Sequence, residues 1–265
     1  MNHTSQSVSI LLPRSLREFL NETGEVTRFG IRFFKDGLLP PYEVKEFFRQ
    51  CFEVGYRSLP LVGITAFIMG LVLTIQSRPT LAEFGAESWL PSMVAVTIIR
   101  EMGPVITALI CAGKIGSSIG AELGSMKVTE QIDAMEVSGT NPFKYLVSTR
   151  ILAVTLTLPL LVVLADAIGL YGSFLAVKIK SATSFPLFWN QVFEKLTFTD
   201  ILPSIIKCYF FGFAIGLIGC YKGYTARKGT ESVGRAANSA VVIASLLVFI
   251  LDLIAVQITD FFFEL

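Results

Sequence analysis

The chain has 265 residues, of which 52% are hydrophobic and only 16% are charged, and its formal net charge is +1. Soluble globular domains carry about a quarter charged residues, so the composition argues against a soluble protein and predicts an all-α integral membrane protein. The charge balance gives no indication of nucleic-acid binding. No metal site is expected, because the single histidine, His3, lies in a polar tail and the four cysteines form no closely spaced pair.

Residues 1–50 combine charged and apolar side chains and are predicted to form a separate N-terminal helical segment. Val26, Phe29 and Phe33 recur at helical spacing, and Arg28 and Arg32 fall between them. A helix with aromatic residues on one face and arginines on the other is typical of the membrane–water interface. The alternative is that this amphipathic helix packs against the rest of the protein.

Residues 51–265 form the second predicted unit. It contains five apolar segments, each long enough to cross a bilayer, which requires about 20 helical residues. The predicted transmembrane spans are residues 58–77, 88–113, 151–177, 201–221 and 236–259. Most lysines and arginines precede the first span or follow the second and fourth spans. The positive-inside rule therefore predicts a cytoplasmic N-terminus and a C-terminus on the far side of the membrane. No internal repeat is evident, which argues against the inverted-repeat secondary transporters.

Charged residues inside the predicted spans mark the candidate site. Arg100 and Glu101 lie at the midpoint of the second span, where a charge costs roughly 2.5–3.5 kcal/mol unless it is paired or faces a cavity. Neighbours on a helix point about 100° apart, so the two residues are expected to meet different partners. Asp166 and Asp252 are candidate partners from other spans, and Lys207 is a further buried charge. Lys207 and Asp252 are expected to form a structural charge pair between the fourth and fifth spans.

Two interpretations of Arg100 and Glu101 follow from the residues. In the first, the two charges belong to an interhelical ion network that does not contact substrate. In the second, Arg100 binds a phosphate headgroup, because the planar guanidinium fork suits that anion. The nearby aromatic residues Phe210, Phe211 and Phe213 are interpreted as lipid-facing packing rather than as a binding site.

The connection between the second and third spans is predicted to contain a cytoplasmic helix over residues 118–136. Glycines recur every fourth residue from Gly116 to Gly124, which places small residues on one helix face for close backbone approach. The amphipathic pattern that follows predicts a helix that lies on the membrane or docks a soluble partner.

Gly113 and Lys114 are reminiscent of the end of a phosphate-binding loop, but the motif is incomplete. Ile115 occupies the position where that loop requires serine or threonine, and Ala108 the position of its first glycine. The chain therefore contains no recognisable nucleotide site, and an energy source must come from another chain.

Five short motifs occur in order from the second span to the third. The sequence reads REMGP at 100–104, AGK at 112–114, AELGSMKVTEQIDAM at 121–135, NP at 141–142 and LPL at 158–160. Together they resemble the MlaE/YrbE family of permeases, and the resemblance covers roughly residues 45–263.

This resemblance implies a transmembrane subunit of an ATP-binding-cassette lipid transporter. Such a permease moves phospholipid or a related lipid between the inner membrane and the outer envelope and maintains outer-membrane lipid asymmetry. The implied assembly is a homodimer with two cytoplasmic ATPase subunits, a periplasmic MCE-domain protein and, in some systems, a STAS-domain protein. The chain itself is then non-catalytic and needs no cofactor, because the ATPase binds the ATP. The implied location is the bacterial inner membrane.

The resemblance also implies roles for particular residues. Arg100 and Glu101 are expected to border a lipid cavity at the dimer interface. The helix over residues 118–136 is expected to be the coupling helix that docks into the ATPase. The residues expected to couple there are Glu122, Met126, Lys127, Glu130, Gln131 and Asp133.

Two other classes of function compete with the permease hypothesis. An ion-coupled secondary transporter would use Glu101 and Asp166 as a relay. A non-transporting membrane scaffold would only recruit the soluble partner. The missing repeat argues against the first alternative, and the charges inside the second span argue against the second.

Overall fold

The computed structural model describes residues 14–37, 40, 43–180, 184–227 and 229–263. Within these ranges the chain is helical and contains no β-strand, which confirms the all-α prediction. The helices are α1 (Arg14–Arg32), α2 (Val44–Gly55), α3 (Leu59–Glu83), α4 (Leu90–Thr97), α5 (Gly103–Cys111), α6 (Ser117–Val128), α7 (Gln131–Val137), α8 (Thr149–Lys180), α9 (Phe185–Lys195), α10 (Phe198–Tyr224) and α11 (Thr230–Phe263).

Wider π-helical turns join several of these helices into longer rods. They are Phe33–Gly37 after α1, Ile98–Met102 between α4 and α5, Ala112–Gly116 between α5 and α6, and Phe143–Ser148 before α8. A π-turn inserts one extra residue into an α-helix and is frequent at functional sites. Two of the four turns lie in the second span, which makes that span the most irregular of the set.

Five helical rods in the described residues are long and apolar enough to cross a membrane, which confirms the predicted number. They are Val44–Glu83, Glu87–Val128, Phe143–Ile179, Phe198–Tyr224 and Thr230–Phe261. Each rod extends beyond its predicted apolar segment, because helical hydrogen bonding continues into polar residues at both ends. The second span was predicted to end at residue 113 and continues to Val128.

The third span, α8, lies at the centre of the bundle. It packs against α3 and α10, and α10 packs in turn against α6 and α11. Glycines permit these contacts: a Cβ atom at Gly70 would lie 1.9 Å from the carbonyl oxygen of Gly169, and one at Gly212 would lie 2.8 Å from the Cα atom of Thr155. Small residues thus bring the backbones together, as is usual for helices packed in lipid.

The fifth span lies at the edge of the bundle and is largely uncovered. Val242, Leu246, Phe249 and Leu253 are all exposed, and their spacing places them on one stripe of α11. A bilayer of the usual ~30 Å hydrocarbon thickness solvates such a stripe.

The N-terminal helix α1 packs onto α10 through its C-terminal half. Phe29 is buried with its ring centre 5.6 Å from that of Tyr221, and the Tyr221 hydroxyl donates to Glu25 at 2.8 Å. The C-terminal half of α1 therefore packs against the rest of the protein, which is the alternative interpretation of this helix. Ile31 on the same helix remains exposed. An interfacial location of the helix stays a prediction. Residues 1–13, 38–39 and 41–42 of the predicted N-terminal segment lie outside the described residues.

The prediction of one continuous helix over residues 118–136 is wrong. Thr129 and Glu130 separate α6 from α7, and Glu130 adopts the left-handed conformation with φ of 59°. An ion pair of 2.7 Å between Lys127 and Asp133 spans the turn. The hydrophobic pattern does not indicate this break, because glutamate is not a residue that normally marks a left-handed position.

Candidate functional site

The π-turn Ile98–Met102 carries the two charges that the sequence places inside the second span. It lies directly before Gly103 and Pro104, the first residues of α5. Proline has no amide hydrogen to donate and clashes with a regular helix, so the wider turn relieves the strain. The turn presents Arg100 and Glu101 toward α10 and α11, where each finds different partners, as their spacing predicted.

Glu101 belongs to a three-residue ion cluster that joins three spans. Lys207 Nζ donates to Glu101 Oε2 at 2.8 Å and to Asp252 Oδ1 at 2.9 Å. Only 6% of the Lys207 side chain is exposed, against 18% for Asp252 and 42% for Glu101. The expected pair between Lys207 and Asp252 is thus present in the structure, and Glu101 is a second partner of the same ammonium group.

Arg100 contacts two carboxylates that the sequence reasoning did not single out. Its guanidinium lies 3.7 Å from Asp200 Oδ1 and 4.0 Å from Asp260 Oδ1, and 42% of the side chain is exposed. Asp200 is the third residue of α10, and its other oxygen accepts from the amide of Thr197 at 3.0 Å in a capping box. The Thr-x-x-Asp pattern could have indicated this cap. Nothing in the sequence indicates that Arg100 would reach Asp260.

These partners show where the charged pair lies within the bundle. Asp200 lies near the start of α10 and Asp260 near the end of α11, so Arg100 lies toward one end of the bundle. The two residues are at the middle of the predicted apolar segment, residues 88–113, and the helical rod continues past that segment to Val128. Counted along the 42 residues of Glu87–Val128, Arg100 and Glu101 lie in the first half of the rod.

Asp166 does not pair with Arg100 or Glu101. Its carboxylate lies against the backbone of Gly103, where an added Cβ atom would be 1.7 Å from Asp166 Oδ1. Among the described residues, Asp166 Oδ1 is buried and has no hydrogen-bond partner. Gly103 therefore provides the space that this carboxylate occupies.

The charged residues line a small polar cleft that adjoins a larger apolar groove. The cleft contains Arg100, Glu101, Asp200 and Asp260. The groove has a volume of about 460 Å³, and its apolar walls include Leu202, Ile206, Phe210 and Ile258. Both are bordered by the same four residues of α10 and α11, namely Pro203, Lys207, Ala255 and Thr259. A molecule with a polar head and an apolar tail therefore has a continuous surface to occupy.

The three phenylalanines interpreted together as lipid-facing packing have three different environments. Phe210 is exposed and lines the groove, as the lipid-facing interpretation requires. Phe211 is fully buried in the core, and Phe213 packs against Phe33 of the N-terminal helix. Consecutive positions on a helix point in different directions, which is why one description cannot fit all three.

The residues expected to couple to an ATPase divide into two groups. Glu122 forms an ion pair of 2.7 Å with the buried Arg150, and Met126 packs against the core. Lys127, Glu130, Gln131 and Asp133 instead surround the turn between α6 and α7, where Glu130 and Gln131 are exposed. The structure therefore places a compact polar turn, rather than one helix face, at this end of the second span.

The second span connects the charged cleft to this turn as one rod. Its last part, α6, lies against α11: a Cβ atom at Gly120 would be 3.2 Å from the Cα atom of Ala237, and one at Gly124 would be 3.6 Å from the Cα atom of Val233. The close approach predicted from the glycine spacing is present. The cleft and the turn are thus at opposite ends of the same packed element.

Comparison with known proteins places this architecture in a family. The sequence matches the profile described as Permease MlaE over residues 47–258, from the first predicted span to the fifth. A Rickettsia typhi protein named Probable ABC transporter permease protein is 37% identical over 244 residues, which cover 92% of this chain and 94% of the relative. The Haemophilus influenzae protein named Intermembrane phospholipid transport system permease protein MlaE is 35% identical over 212 residues, which cover 79% and 81%.

A Synechocystis protein named Probable ABC transporter permease protein is 36% identical over 197 residues, covering 74% of this chain and 75% of the relative. These alignments extend over most of each relative, and the family profile over residues 47–258 reaches into all five membrane-spanning rods. The chain therefore belongs to the MlaE permease family and is a multi-pass membrane permease of the ABC-transporter class.

Proposed function

We propose that this permease moves phospholipid, with the headgroup bound at Arg100 and the acyl chains in the adjoining groove. The observation that carries the proposal is the continuity of a charged cleft with an apolar groove of about 460 Å³. A phospholipid combines a phosphate with long apolar chains, so its two parts match the two parts of this surface. The name of the Haemophilus relative, which specifies intermembrane phospholipid transport, supports the same substrate class.

The geometry favours Arg100 over Lys207 as the phosphate contact. Arg100 is 42% exposed, and its carboxylate contacts of 3.7 and 4.0 Å are longer than hydrogen bonds. Its five N–H groups can therefore still donate to an anion. Lys207 is 6% exposed and donates to two carboxylates at hydrogen-bond distance, so its role is to hold three spans together.

We further propose that a separate ATPase drives the transport through the turn between α6 and α7. The exposed Glu130 and Gln131 lie at the end of the rod whose other end carries Arg100 and Glu101. A displacement of the turn would therefore move the wall of the cleft. The chain is proposed to bind no cofactor, because ATP would be bound by the partner.

The remaining parts of the proposed assembly follow from family membership. They are a homodimer, two cytoplasmic ATPase subunits, a periplasmic MCE-domain protein and, in some systems, a STAS-domain protein. The uncovered apolar stripe on α11 is compatible with a partner copy. We propose a bacterial inner-membrane location with a cytoplasmic N-terminus and a periplasmic C-terminus, where transport would maintain outer-membrane lipid asymmetry.

The substrate proposal is tested by reconstituting the permease with its ATPase in liposomes and following labelled phospholipid. The variant Arg100→Ala is expected to lose most ATP-dependent transfer and most phospholipid that co-purifies in native mass spectrometry. Arg235→Ala is the matched control, because Arg235 is an arginine with a 74% exposed side chain outside the cleft. Equal lipid retention by both variants would favour a purely structural ion network at Arg100.

The same reconstitution separates the permease from an ion-coupled carrier. ATP-dependent transfer that persists after the proton gradient is collapsed supports the proposal. Transfer that needs no ATP and stops when the gradient is collapsed would overturn it in favour of the carrier. For the coupling turn, Glu130→Lys is expected to abolish co-purification of the ATPase, and unchanged co-purification would contradict that role.

A further inference from the structure

A second polar cavity lies toward the other end of the second span, far along the rod from Arg100. It has a volume of about 440 Å³ and lies between α2, the short turn Tyr56–Ser58 that follows it, the π-turn Ala112–Gly116 and the first turns of α6. Its buried residues include Ser58, Ile115 and Ile119, whereas Arg57 and Lys114 are among its more exposed lining residues. The volume falls within the ~300–1,000 Å³ range of small-molecule sites.

The charges around this cavity leave an excess of positive charge. Two carboxylates line it, and each is neutralised by an arginine: Glu53 pairs with Arg57 at 2.7 Å, and Glu122 pairs with the buried Arg150 at 2.7 Å. Lys114 has a different partner, because its ammonium group donates to the backbone carbonyl of Arg57.

Lys114 therefore remains uncompensated. Among the described residues no carboxylate lies within ion-pair distance of it, while Arg49, which also lines the cavity, is paired with Glu46 at 2.7 Å. One ammonium charge and the unused N–H groups of Arg57 face the same space. An anion is the ligand that this combination favours.

A buried hydroxyl group provides a second, independent indication of a ligand. Ser58 lines the cavity, is 1% exposed, and its Oγ atom has no hydrogen-bond partner among the described residues. A buried polar group without a partner costs about 1–3 kcal/mol, so such groups normally bond to protein, water or ligand. An oxyanion in the cavity would accept the missing hydrogen bond.

The surroundings of the cavity suit a lipid headgroup. Phe48 and Phe52 of α2 and Tyr56, directly after it, are exposed at a spacing of four residues, and the rings of Phe52 and Tyr56 stack at 4.9 Å. A stripe of aromatic residues beside cationic ones is typical of the membrane–water interface. The phosphate groups of a bilayer lie at that level.

We propose that this cavity binds a phosphate group, carried by a membrane phospholipid or as free phosphate, through Arg57, Lys114 and the Ser58 hydroxyl. Arg57 supplies planar N–H donors and Lys114 supplies the uncompensated charge. Ser58 fixes the depth at which the phosphate oxygen binds. The site is separate from the Arg100 cleft, and its occupancy does not depend on the proposed transport function.

The test measures protection of a cysteine placed at the cavity. Ser118 lines the cavity and is exposed, so a cysteine is introduced there as Ser118→Cys and labelled with a water-soluble maleimide. The first labelling is done in neutral detergent and compares phosphate with chloride at equal ionic strength. The labelling is then repeated in nanodiscs of phosphatidylglycerol and in nanodiscs of a phosphate-free glycolipid. The unsubstituted chain gives the background, since three of its four free cysteines are buried. Ser138→Cys, exposed and outside the cavity, is the matched control.

Phosphate at about ten times its dissociation constant is expected to slow labelling of Ser118→Cys about tenfold and to leave Ser138→Cys unchanged. Protection by phosphatidylglycerol but not by the glycolipid identifies lipid as the source, and protection by dissolved phosphate alone identifies the free anion. Arg57→Gln combined with Lys114→Gln is expected to remove the protection.

Ser58→Ala keeps the test informative if the double variant does not fold. The Ser58 hydroxyl makes no hydrogen bond to the described residues, so its removal breaks no such bond. We expect this variant to weaken phosphate protection about tenfold, the effect of one hydrogen bond to a charged ligand. The proposal is overturned if neither phosphate source protects Ser118→Cys, or if the glycolipid protects as well as phosphatidylglycerol.

Discussion

Replacement of Lys207 by methionine is expected to destabilise the permease by about 3 kcal/mol. Methionine retains the length and flexibility of the side chain but removes the charge that Glu101 and Asp252 share. Breaking a buried ion pair from one side costs about 3–5 kcal/mol, whereas exposed pairs contribute about 0–1 kcal/mol. The Asp252 side chain is 18% exposed and approaches the buried case, while Glu101 at 42% is closer to the exposed one. The lower end of the buried range is therefore the appropriate estimate.

The free energy of unfolding is measured in mixed micelles by titration with a denaturing detergent, with tryptophan fluorescence as the signal. A double-mutant cycle combines Lys207→Met with Asp252→Asn. Because each single variant leaves an unmatched partner, the double variant should cost at least about 1.5 kcal/mol less than the sum of the two. Arg235→Met is the control, since its pair with Glu231 is 74% and 82% exposed and its loss should cost under about 1 kcal/mol. Strictly additive effects for Lys207 and Asp252 would refute the reasoning.

Two glycine substitutions test the close contacts around the site and the core by the same unfolding measurement. Gly103→Ala would place a Cβ atom 1.7 Å from Asp166 Oδ1, so a loss of about 1–3 kcal/mol is expected, most of which Asp166→Ala should restore. Gly70→Ala would place its Cβ atom 1.9 Å from the backbone oxygen of Gly169, which cannot rotate away, so the loss should reach at least about 3 kcal/mol. Gly113→Ala is the control, because no atom outside its own helix lies within 4 Å, and it should cost nothing. Wild-type stability of either core variant would contradict these contacts.

The membrane class, the all-α fold and the number of spans are determined by the sequence alone. Within a bilayer the backbone amides of a single apolar segment must form hydrogen bonds inside that segment. An apolar run of about 20 residues therefore forms a helix. The family can also be recognised from the sequence, because the REMGP motif and the run over residues 121–135 are short contiguous stretches. The pairing of Lys207 with Asp252 also follows from sequence, since two opposite charges in neighbouring apolar segments have few other ways to avoid an unpaired state.

The ends and breaks of helices are harder to predict from the sequence. The extension of the second span to Val128 and the left-handed turn at Glu130 both lie in polar stretches. There the hydrophobic period that marks an apolar helix no longer distinguishes helix from loop. The result is that the predicted coupling helix is divided, and that the half-exposed Glu122 pairs with the buried Arg150.

The contacts that make the site were decided by tertiary structure. The sequence placed Arg100 and Glu101 on a helix, but the partners of each depend on how α10 and α11 are rotated and how far along the rod they cross. The helical period fixes the relative directions of side chains within one helix and carries no information about the rotation of its neighbours. Helix packing therefore determines that Arg100 lies beside Asp200 and Asp260. It also determines that the charged cleft adjoins the groove beside Phe210.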